Sequence, residues 1–128
     1  MKALLDTQAA LYFWVEPERL SDSARKVIED RNNRLYFSQA STWEVVIKYS
    51  LGKLPLPEQP GAYLPTRIRR TDFEYEPISD RALFGMLDLP DVHRDPFDRL
   101  LISTARILRV PVITGDPVFR DYPVKVIW

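Results

Sequence analysis

Short apolar segments alternate with helical segments along the chain, and this alternation limits the possible folds more than any other feature. Five segments are predicted to be strands: Lys2–Leu5, Leu35–Ser38, Phe73–Ile78, Val112–Thr114 and Lys125–Trp128. Helices are predicted over Thr7–Val15, from the N-cap Ser21 to Asp30, from Ser41 to Leu51, and over Ala62–Arg70, Ser79–Leu87 and Asp95–Arg109. The order predicts an α/β fold of three layers, with a mainly parallel central sheet of about five strands flanked by helices.

Length and composition favour one globular unit. A chain of 128 residues is long enough for one core, so a single domain over 1–128 is expected. Hydrophobic residues make up 45% of the chain and charged residues 28%, which is typical of a soluble protein. The absence of cysteine excludes disulfides and thiolate metal sites, so a reducing cytoplasm is the expected location.

The termini and the net charge exclude other classes. The apolar start meets an acid at Asp6, so neither a signal peptide nor a membrane span is predicted. Eighteen basic and eighteen acidic residues cancel. A nucleic-acid partner would therefore have to be bound by a local basic patch, because the overall charge would not attract it.

Four carboxylates follow predicted strands or begin the helices after them: Asp6, Glu44, Asp98 and Asp116. Ligands of open α/β sheets bind outside the carboxyl ends of the strands, so these side chains are expected to converge there. Like charges so close together are unfavourable unless a cation joins them. Ligands that are all oxygen point to Mg²⁺ or Mn²⁺.

Each acid also has an ordinary structural explanation. Ser41 and Glu44 fit the S-x-x-E capping box, in which both side chains bind free backbone N–H groups at a helix start. Asp98 stands at the third helical position after an expected N-cap, Asp95. The other two acids fit turns after strands. Independent caps would not be expected to gather at one edge of one sheet, and this favours a functional cluster.

The chain resembles the PIN-domain nucleases, and more closely the VapC-type toxins of toxin–antitoxin pairs. The matching segments are "LLDTQAALYFW" (Leu4–Trp14), "SQASTWEVVIKYSLGKLPL" (Ser38–Leu56), "LPDVHRDPFDRLLISTA" (Leu89–Ala105) and "VITGDPVFRDYPVKVIW" (Val112–Trp128). They follow the family's order and span nearly the whole chain. The resemblance implies the PIN fold and a metal-dependent endoribonuclease that hydrolyses RNA phosphodiester bonds.

By this resemblance the four acids are the catalytic and metal-binding residues. Asp6 and Asp98 are assigned as direct ligands of Mg²⁺ or Mn²⁺, while Glu44 and Asp116 would bind a second ion or orient metal-bound water. The segment Gly115-Asp116-Pro117 departs from the family pattern, which leaves the role of Asp116 open.

Candidate substrate-binding residues are Thr114, Arg99 and His93. Thr114 matches a threonine of the family pattern, and Arg99 follows Asp98 directly. The densest basic run (Arg67, Arg69 and Arg70) is interpreted either as a solvated helix face or as a patch for the RNA backbone. The aromatic run Tyr12–Trp14 is interpreted either as core and interface or as a stacking surface for bases.

Other classes and partners complete the expectations. Haloacid-dehalogenase-type phosphatases require an aspartate where this chain has Gln8, and receiver domains require an acid pair that Asp6-Thr7 does not supply. A non-catalytic PIN-fold interaction module remains the alternative. The apolar segments Leu51–Pro57 and Tyr12–Trp14 predict a homodimer. The resemblance also implies a cognate antitoxin that covers the acidic crevice, within a toxin–antitoxin assembly.

Overall fold

A computed structural model describes all residues, 1–128. Five strands form one sheet: β1 (Lys2–Leu5), β2 (Arg34–Ser38), β3 (Glu74–Glu76), β4 (Val112–Ile113) and β5 (Val126–Ile127). Their order across the sheet is β3-β2-β1-β4-β5, and every neighbouring pair is parallel. The predicted parallel sheet of about five strands is confirmed. Three strands are shorter than predicted, because the residues that flank them have irregular backbone and do not belong to the sheet.

Six α-helices connect and cover the strands: α1 (Thr7–Val15), α2 (Asp22–Glu29), α3 (Gln39–Ser50), α4 (Pro60–Arg70), α5 (Asp80–Gly85) and α6 (Pro96–Leu108). Short 3-10 turns occupy Pro17–Arg19, Met86–Asp88 and Pro117–Asp121. None of the helices is long and apolar enough to cross a membrane.

Several helix boundaries follow from the sequence. The Ser21 hydroxyl accepts a hydrogen bond from the Ala24 amide, as expected for the N-cap of α2. Beyond the end of α3, Gly52 adopts a φ of 70°, a left-handed conformation that a side chain disfavours. The helix α4 begins at Pro60 and continues through Pro65, although an internal proline removes one helical hydrogen bond.

Helix α3 does not begin where the sequence predicted. It starts at Gln39, and the Ser38 hydroxyl accepts the capping hydrogen bond from the Ala40 amide at 3.0 Å. The strand β2 therefore runs directly into the helix. The predicted capping box of Ser41 and Glu44 is wrong, because both residues lie inside the helix rather than at its start.

The sheet separates two hydrophobic cores, as a three-layer fold requires. Successive side chains of a strand point to opposite faces. Along β1, Ala3 and Leu5 pack on the side of α1 and α2, while Leu4 packs on the side of α5 and α6. In β2, Phe37 belongs to the first core and Tyr36 to the second.

The order of the strands determines where a site can form. From β1 the chain adds β2 and β3 on one side, then crosses to the other side for β4 and β5. The carboxyl ends of β1 and β4 therefore lie at the topological switch point, where α/β sheets open a crevice. Asp6 and Thr114 directly follow these two strands.

Candidate active site

A cavity of about 530 Å³ opens at the carboxyl edge of the sheet. All four predicted acids line it: Asp6, Glu44, Asp98 and Asp116. Asp95 lines it as well. The structure thus brings together side chains from four separate segments of the chain. Their catalytic roles stay a prediction.

Asp6 lies at the base of this cavity and is only 6% exposed. One of its carboxylate oxygens, Oδ1, accepts a hydrogen bond of 2.6 Å from the Ala9 amide, which makes Asp6 the N-cap of α1. Burial raises the pKa of Asp6 to about 6, although hydrogen bonds from Thr114 and Ala9 oppose the rise. The charges of Asp98 and Glu44 add to it. The carboxyl group is therefore held in an environment that disfavours its charge.

Glu44 has no capping role, so its burial needs another explanation. It lies more than one turn inside α3, and its side chain is only 7% exposed. The carboxylate oxygen Oε2 lies 2.5 Å from Lys48 Nζ, one helical turn further on. A buried carboxylate that faces an acid-lined cavity and has no cap to form is typical of a functional group.

The serine of the predicted capping box has a different partner. The Thr7 hydroxyl donates a hydrogen bond of 2.7 Å to the Ser41 hydroxyl, and both residues are buried. This contact joins the start of α1 to α3. It fixes the two helices that present Asp6 and Glu44 to the cavity.

Asp98 lies in the first turn of α6. Asp95 forms the predicted N-cap of this helix by accepting hydrogen bonds from the Phe97 and Asp98 amides. Burial raises the pKa of Asp98 to about 6, a hydrogen bond from His93 opposes the rise, and the charges of Asp95 and Glu44 add to it. Like Asp6, this carboxyl group is kept in a state where its charge is disfavoured.

His93 contacts an acid of the site rather than open solvent. Its Nε2 lies 3.0 Å from Asp98 Oδ2, and its Nδ1 lies 2.6 Å from the Tyr122 hydroxyl. The imidazole therefore holds the Asp98 carboxylate in one orientation. His93 does not line the cavity, and its predicted contact with substrate stays a prediction.

Asp116 stands at the rim, exposed to solvent. It caps the 3-10 turn Pro117–Asp121 through a hydrogen bond from the Val118 amide at 3.0 Å. The preceding Gly115 is needed for packing, because a Cβ there would meet the Trp128 ring at 2.6 Å. The departure from the family pattern therefore lets Trp128 close one wall of the cavity beside Asp116.

Two other predicted substrate-binding residues do not line the cavity. Thr114 is fully buried, and its hydroxyl accepts from the Asp116 amide at 3.0 Å while it supports Asp6. The Arg99 guanidinium donates to the Pro90 carbonyl at 2.8 Å and to the Tyr122 hydroxyl at 3.0 Å. Thr114 thus joins two acids of the site, and Arg99 holds the loop before α6.

The basic and aromatic runs are also mostly structural. None of Arg67, Arg69 and Arg70 lines the cavity, which agrees with a solvated helix face. Tyr12 lines the cavity, but Trp14 packs in the core against Phe37, Tyr63 and Phe73. The aromatic run is partly buried against the core, and the homodimer stays a prediction.

Two basic residues at the cavity were missed by the sequence analysis. Burial opposes the charge on Lys48, but the hydrogen bond to Glu44 and the surrounding carboxylates outweigh it and raise the pKa of Lys48. Arg19 lines the same cavity and belongs to the 3-10 turn after α1. The spacing of four residues between Glu44 and Lys48 was the available signal for an ion pair on one helix face.

The donor set fits a hard divalent cation. No group of three or more histidine, aspartate or glutamate side chains is gathered closely enough to hold a metal ion by itself. Mg²⁺ keeps several of its waters and is often bound through only one or two carboxylates. Asp6 and Asp98 provide such a pair in a site without nitrogen or sulfur ligands, and the charge of Asp98 adds to the rise in the pKa of Asp6.

The sequence is similar to a known protein family and to one of its characterised relatives. A family model described as PIN domain matches residues 3–125. The chain is 45% identical over 49 residues to Ribonuclease VapC16 of Mycobacterium tuberculosis, a match that covers 38% of this chain and 35% of that relative's length.

Solved structures resemble the whole chain in fold. VapBC2 from Rickettsia felis, bound to a DNA fragment from its promoter, matches with a TM-score of 0.71 and 18% identity, over 98% of this chain and 97% of the other. VapBC-1 from nontypeable Haemophilus influenzae matches with a TM-score of 0.61 and 16% identity, over 98% and 96%. At these identities the likeness shows the fold alone.

Proposed function

Since the chain belongs to the PIN domain family, we propose that it is a metal-dependent endoribonuclease and the toxin of a type II toxin–antitoxin system. The observation that carries this proposal is the convergence of Asp6, Glu44, Asp98 and Asp116 on one cavity at the switch point of the sheet. The partial likeness to a protein named Ribonuclease VapC16 supports the choice of RNA as substrate.

Each acid would have its own role. Asp6 and Asp98 would hold Mg²⁺ or Mn²⁺ directly, and Glu44 and Asp116 would bind a second ion or orient water. The metal would make a nucleophilic water available at neutral pH and offset charge on the phosphate. The Thr114 hydroxyl donates a hydrogen bond to Asp6, and this bond favours the charged form of that carboxyl group.

Partners follow from the resemblance and from structures of similar fold. These include a toxin–antitoxin complex from Klebsiella pneumoniae, and we propose a cognate antitoxin that places a basic side chain in the acidic cavity. A homodimer is also proposed, formed by Leu83, Phe84 and Leu87, which are 40%, 70% and 88% exposed. We also propose a cytoplasmic location, which agrees with action on RNA.

The proposed activity is tested by incubating the purified protein with single-stranded RNA in Mg²⁺, in Mn²⁺ or in excess chelator. Cleavage is expected only with metal. The matched variant Asp98→Asn, purified identically, controls for contaminating nucleases and is expected to be inactive. If the wild type leaves RNA intact with either metal, the alternative of a non-catalytic PIN-fold interaction module is favoured.

A further inference from the structure

An acid-lined cavity repels the phosphates of the nucleic acid it is proposed to cut. Five carboxylates line it, while only two cationic side chains, Lys48 and Arg19, line the same cavity. The chain has no net charge to attract a polyanion from a distance. Binding of an RNA strand therefore requires local cations, and these two are the ones in place.

Lys48 differs from an ordinary surface ion pair. Its side chain is 47% exposed, whereas its partner Glu44 is only 7% exposed. The ammonium group is thus directed from the helix surface inward to the cavity, where it lies 2.5 Å from Glu44 Oε2. The ammonium group has three N–H donors, and those that do not bind Glu44 can donate to a phosphate oxygen when a metal ion occupies the carboxylates.

Arg19 also lines the cavity, from the 3-10 turn after α1. Its guanidinium lies 4.6 Å from the centre of the Tyr12 ring, and Glu16 is its distant partner at 3.8 Å. The side chain is 55% exposed, so its N–H donors are accessible. Tyr12 lines the cavity between α1 and this turn, and its ring offers a face on which a base can stack.

We propose that Lys48 and Arg19 are substrate-positioning residues that bind phosphates of a single-stranded RNA next to the phosphodiester that is cut. The inference rests on the proposed function, since it concerns the same cavity. It also assigns the affinity for RNA to these two side chains rather than to Arg67, Arg69 and Arg70, which lie outside the cavity.

The competing interpretation is purely structural. An i, i+4 pair such as Glu44 and Lys48 stabilises a helix, and Arg19 on Tyr12 stabilises a turn. In that case loss of either side chain would lower the melting temperature without a specific effect on RNA. The salt dependence of RNA binding separates the two interpretations, because each phosphate contact releases counterions.

The experiment measures binding of a fluorescently labelled single-stranded RNA of mixed sequence by anisotropy, over a range of salt concentrations. Ca²⁺ replaces Mg²⁺, and a gel verifies that the RNA stays intact. For Lys48→Ala and for Arg19→Ala the slope of log K against log[salt] is expected to become shallower by about 0.7 each. Lys26→Ala removes an exposed lysine away from the cavity and is expected to leave the slope unchanged.

A second measurement uses Mn²⁺ alone. Lys48→Ala is expected to bind Mn²⁺ more tightly than the wild type, because a positive charge leaves the neighbourhood of Glu44, while RNA binding weakens. Lys48→Arg is expected to restore the salt slope. A general loss of structure would instead weaken both ligands, and would appear as a lower melting temperature.

The outcomes separate this inference from the proposed function. Unchanged salt slopes in both alanine variants would overturn the inference, even if the wild type cleaves RNA with metal. Shallower slopes in a protein that cleaves nothing would leave the RNA-binding path intact and reject the nuclease. Shallower slopes for Lys26→Ala as well would mean that the RNA binds diffusely, which also overturns the inference.

Discussion

Asp6 and Asp116 occupy equivalent places in the sheet but very different environments. They follow the neighbouring parallel strands β1 and β4, and each caps the helical turn that comes next. Asp6 is 6% exposed, whereas Asp116 stands exposed at the rim. The same local motif therefore yields one buried acid and one solvated acid.

The difference comes from what packs around each residue. Asp6 is enclosed by α3, which Thr7 and Ser41 hold against α1, and by Thr114 beneath it. Asp116 follows Gly115, which packs against the Trp128 ring, and its own side chain is exposed. Charge on a buried carboxylate is more unfavourable than charge on an exposed one, so a bound cation relieves more unfavourable energy there. The buried acid is therefore expected to matter most for metal binding.

The largest effect is expected when the buried acids lose their charge. Asp6→Asn and Asp98→Asn should each lower RNA cleavage about a thousandfold, which corresponds to ~4 kcal/mol of transition-state stabilisation. Asparagine still caps a helix, so the start of α1 should stay intact in Asp6→Asn. Single-turnover cleavage rates measure the loss, and circular dichroism verifies the fold. A residual rate within tenfold of wild type would contradict the assignment.

Glu44→Gln is expected to lower cleavage about a hundredfold, or ~2.7 kcal/mol. Since Glu44 caps nothing, the substitution leaves the helix start unaffected and removes only the charge beside Lys48. Metal-induced stabilisation should fall with the activity. If cleavage and the metal-induced shift in melting temperature both match the wild type, Glu44 is a structural partner of Lys48 and not part of the metal site.

Asp116→Asn should have a smaller effect, about tenfold in cleavage or ~1.4 kcal/mol. The exposed carboxylate is well solvated and its amide analogue still caps the following turn. Comparison of Asp116→Asn with Asp6→Asn under identical conditions tests the contrast between the two acids. Equal losses in both variants would show that burial does not rank them.

The remaining prediction concerns the stability of the metal-free protein as a function of pH. Asp6 has a pKa of about 6 in the folded chain against an ordinary 3.8, so folding favours its protonated form. Its stabilising contribution is complete below about pH 4 and is lost as the pH rises to about 6. Asp6→Asn should therefore exceed the wild type in unfolding free energy by up to about 3 kcal/mol above pH 6, and by little near pH 4.

Chemical denaturation of both proteins with chelator present, at several pH values, measures this difference. Metal should reverse its sign, because the cation binds the ionised carboxylate and releases its proton. A difference between the two proteins that does not change from pH 4 to pH 7 would mean that Asp6 titrates normally.

The sheet and the gathering of the acids were predictable because they depend on periodicity and topology. Alternation of strands and helices predicted the parallel sheet, and the ends of parallel strands share an edge. The N-caps Ser21 and Asp95 were predictable because capping depends on a few neighbouring residues.

What failed depended on contacts distant in sequence. The pair Ser41 and Glu44 fits a local capping box, but α3 begins earlier, with Ser38 as its N-cap. The Ser41 hydroxyl instead accepts a hydrogen bond from the Thr7 hydroxyl. Nothing near Arg99 in the sequence indicates that it binds the Pro90 carbonyl and Tyr122. Side-chain direction depends on the packed tertiary structure, and local patterns do not contain it.

The most direct test of the contrast between buried and exposed acids is the Mn²⁺-induced shift in melting temperature at neutral pH, for the wild type, Asp6→Asn and Asp116→Asn side by side. Stabilisation by a ligand grows as RT ln(1 + [L]/Kd), so the shift reports affinity without turnover. We expect a clear shift for the wild type, an intermediate one for Asp116→Asn and almost none for Asp6→Asn. Equal shifts in all three proteins would contradict a metal site built on the buried Asp6.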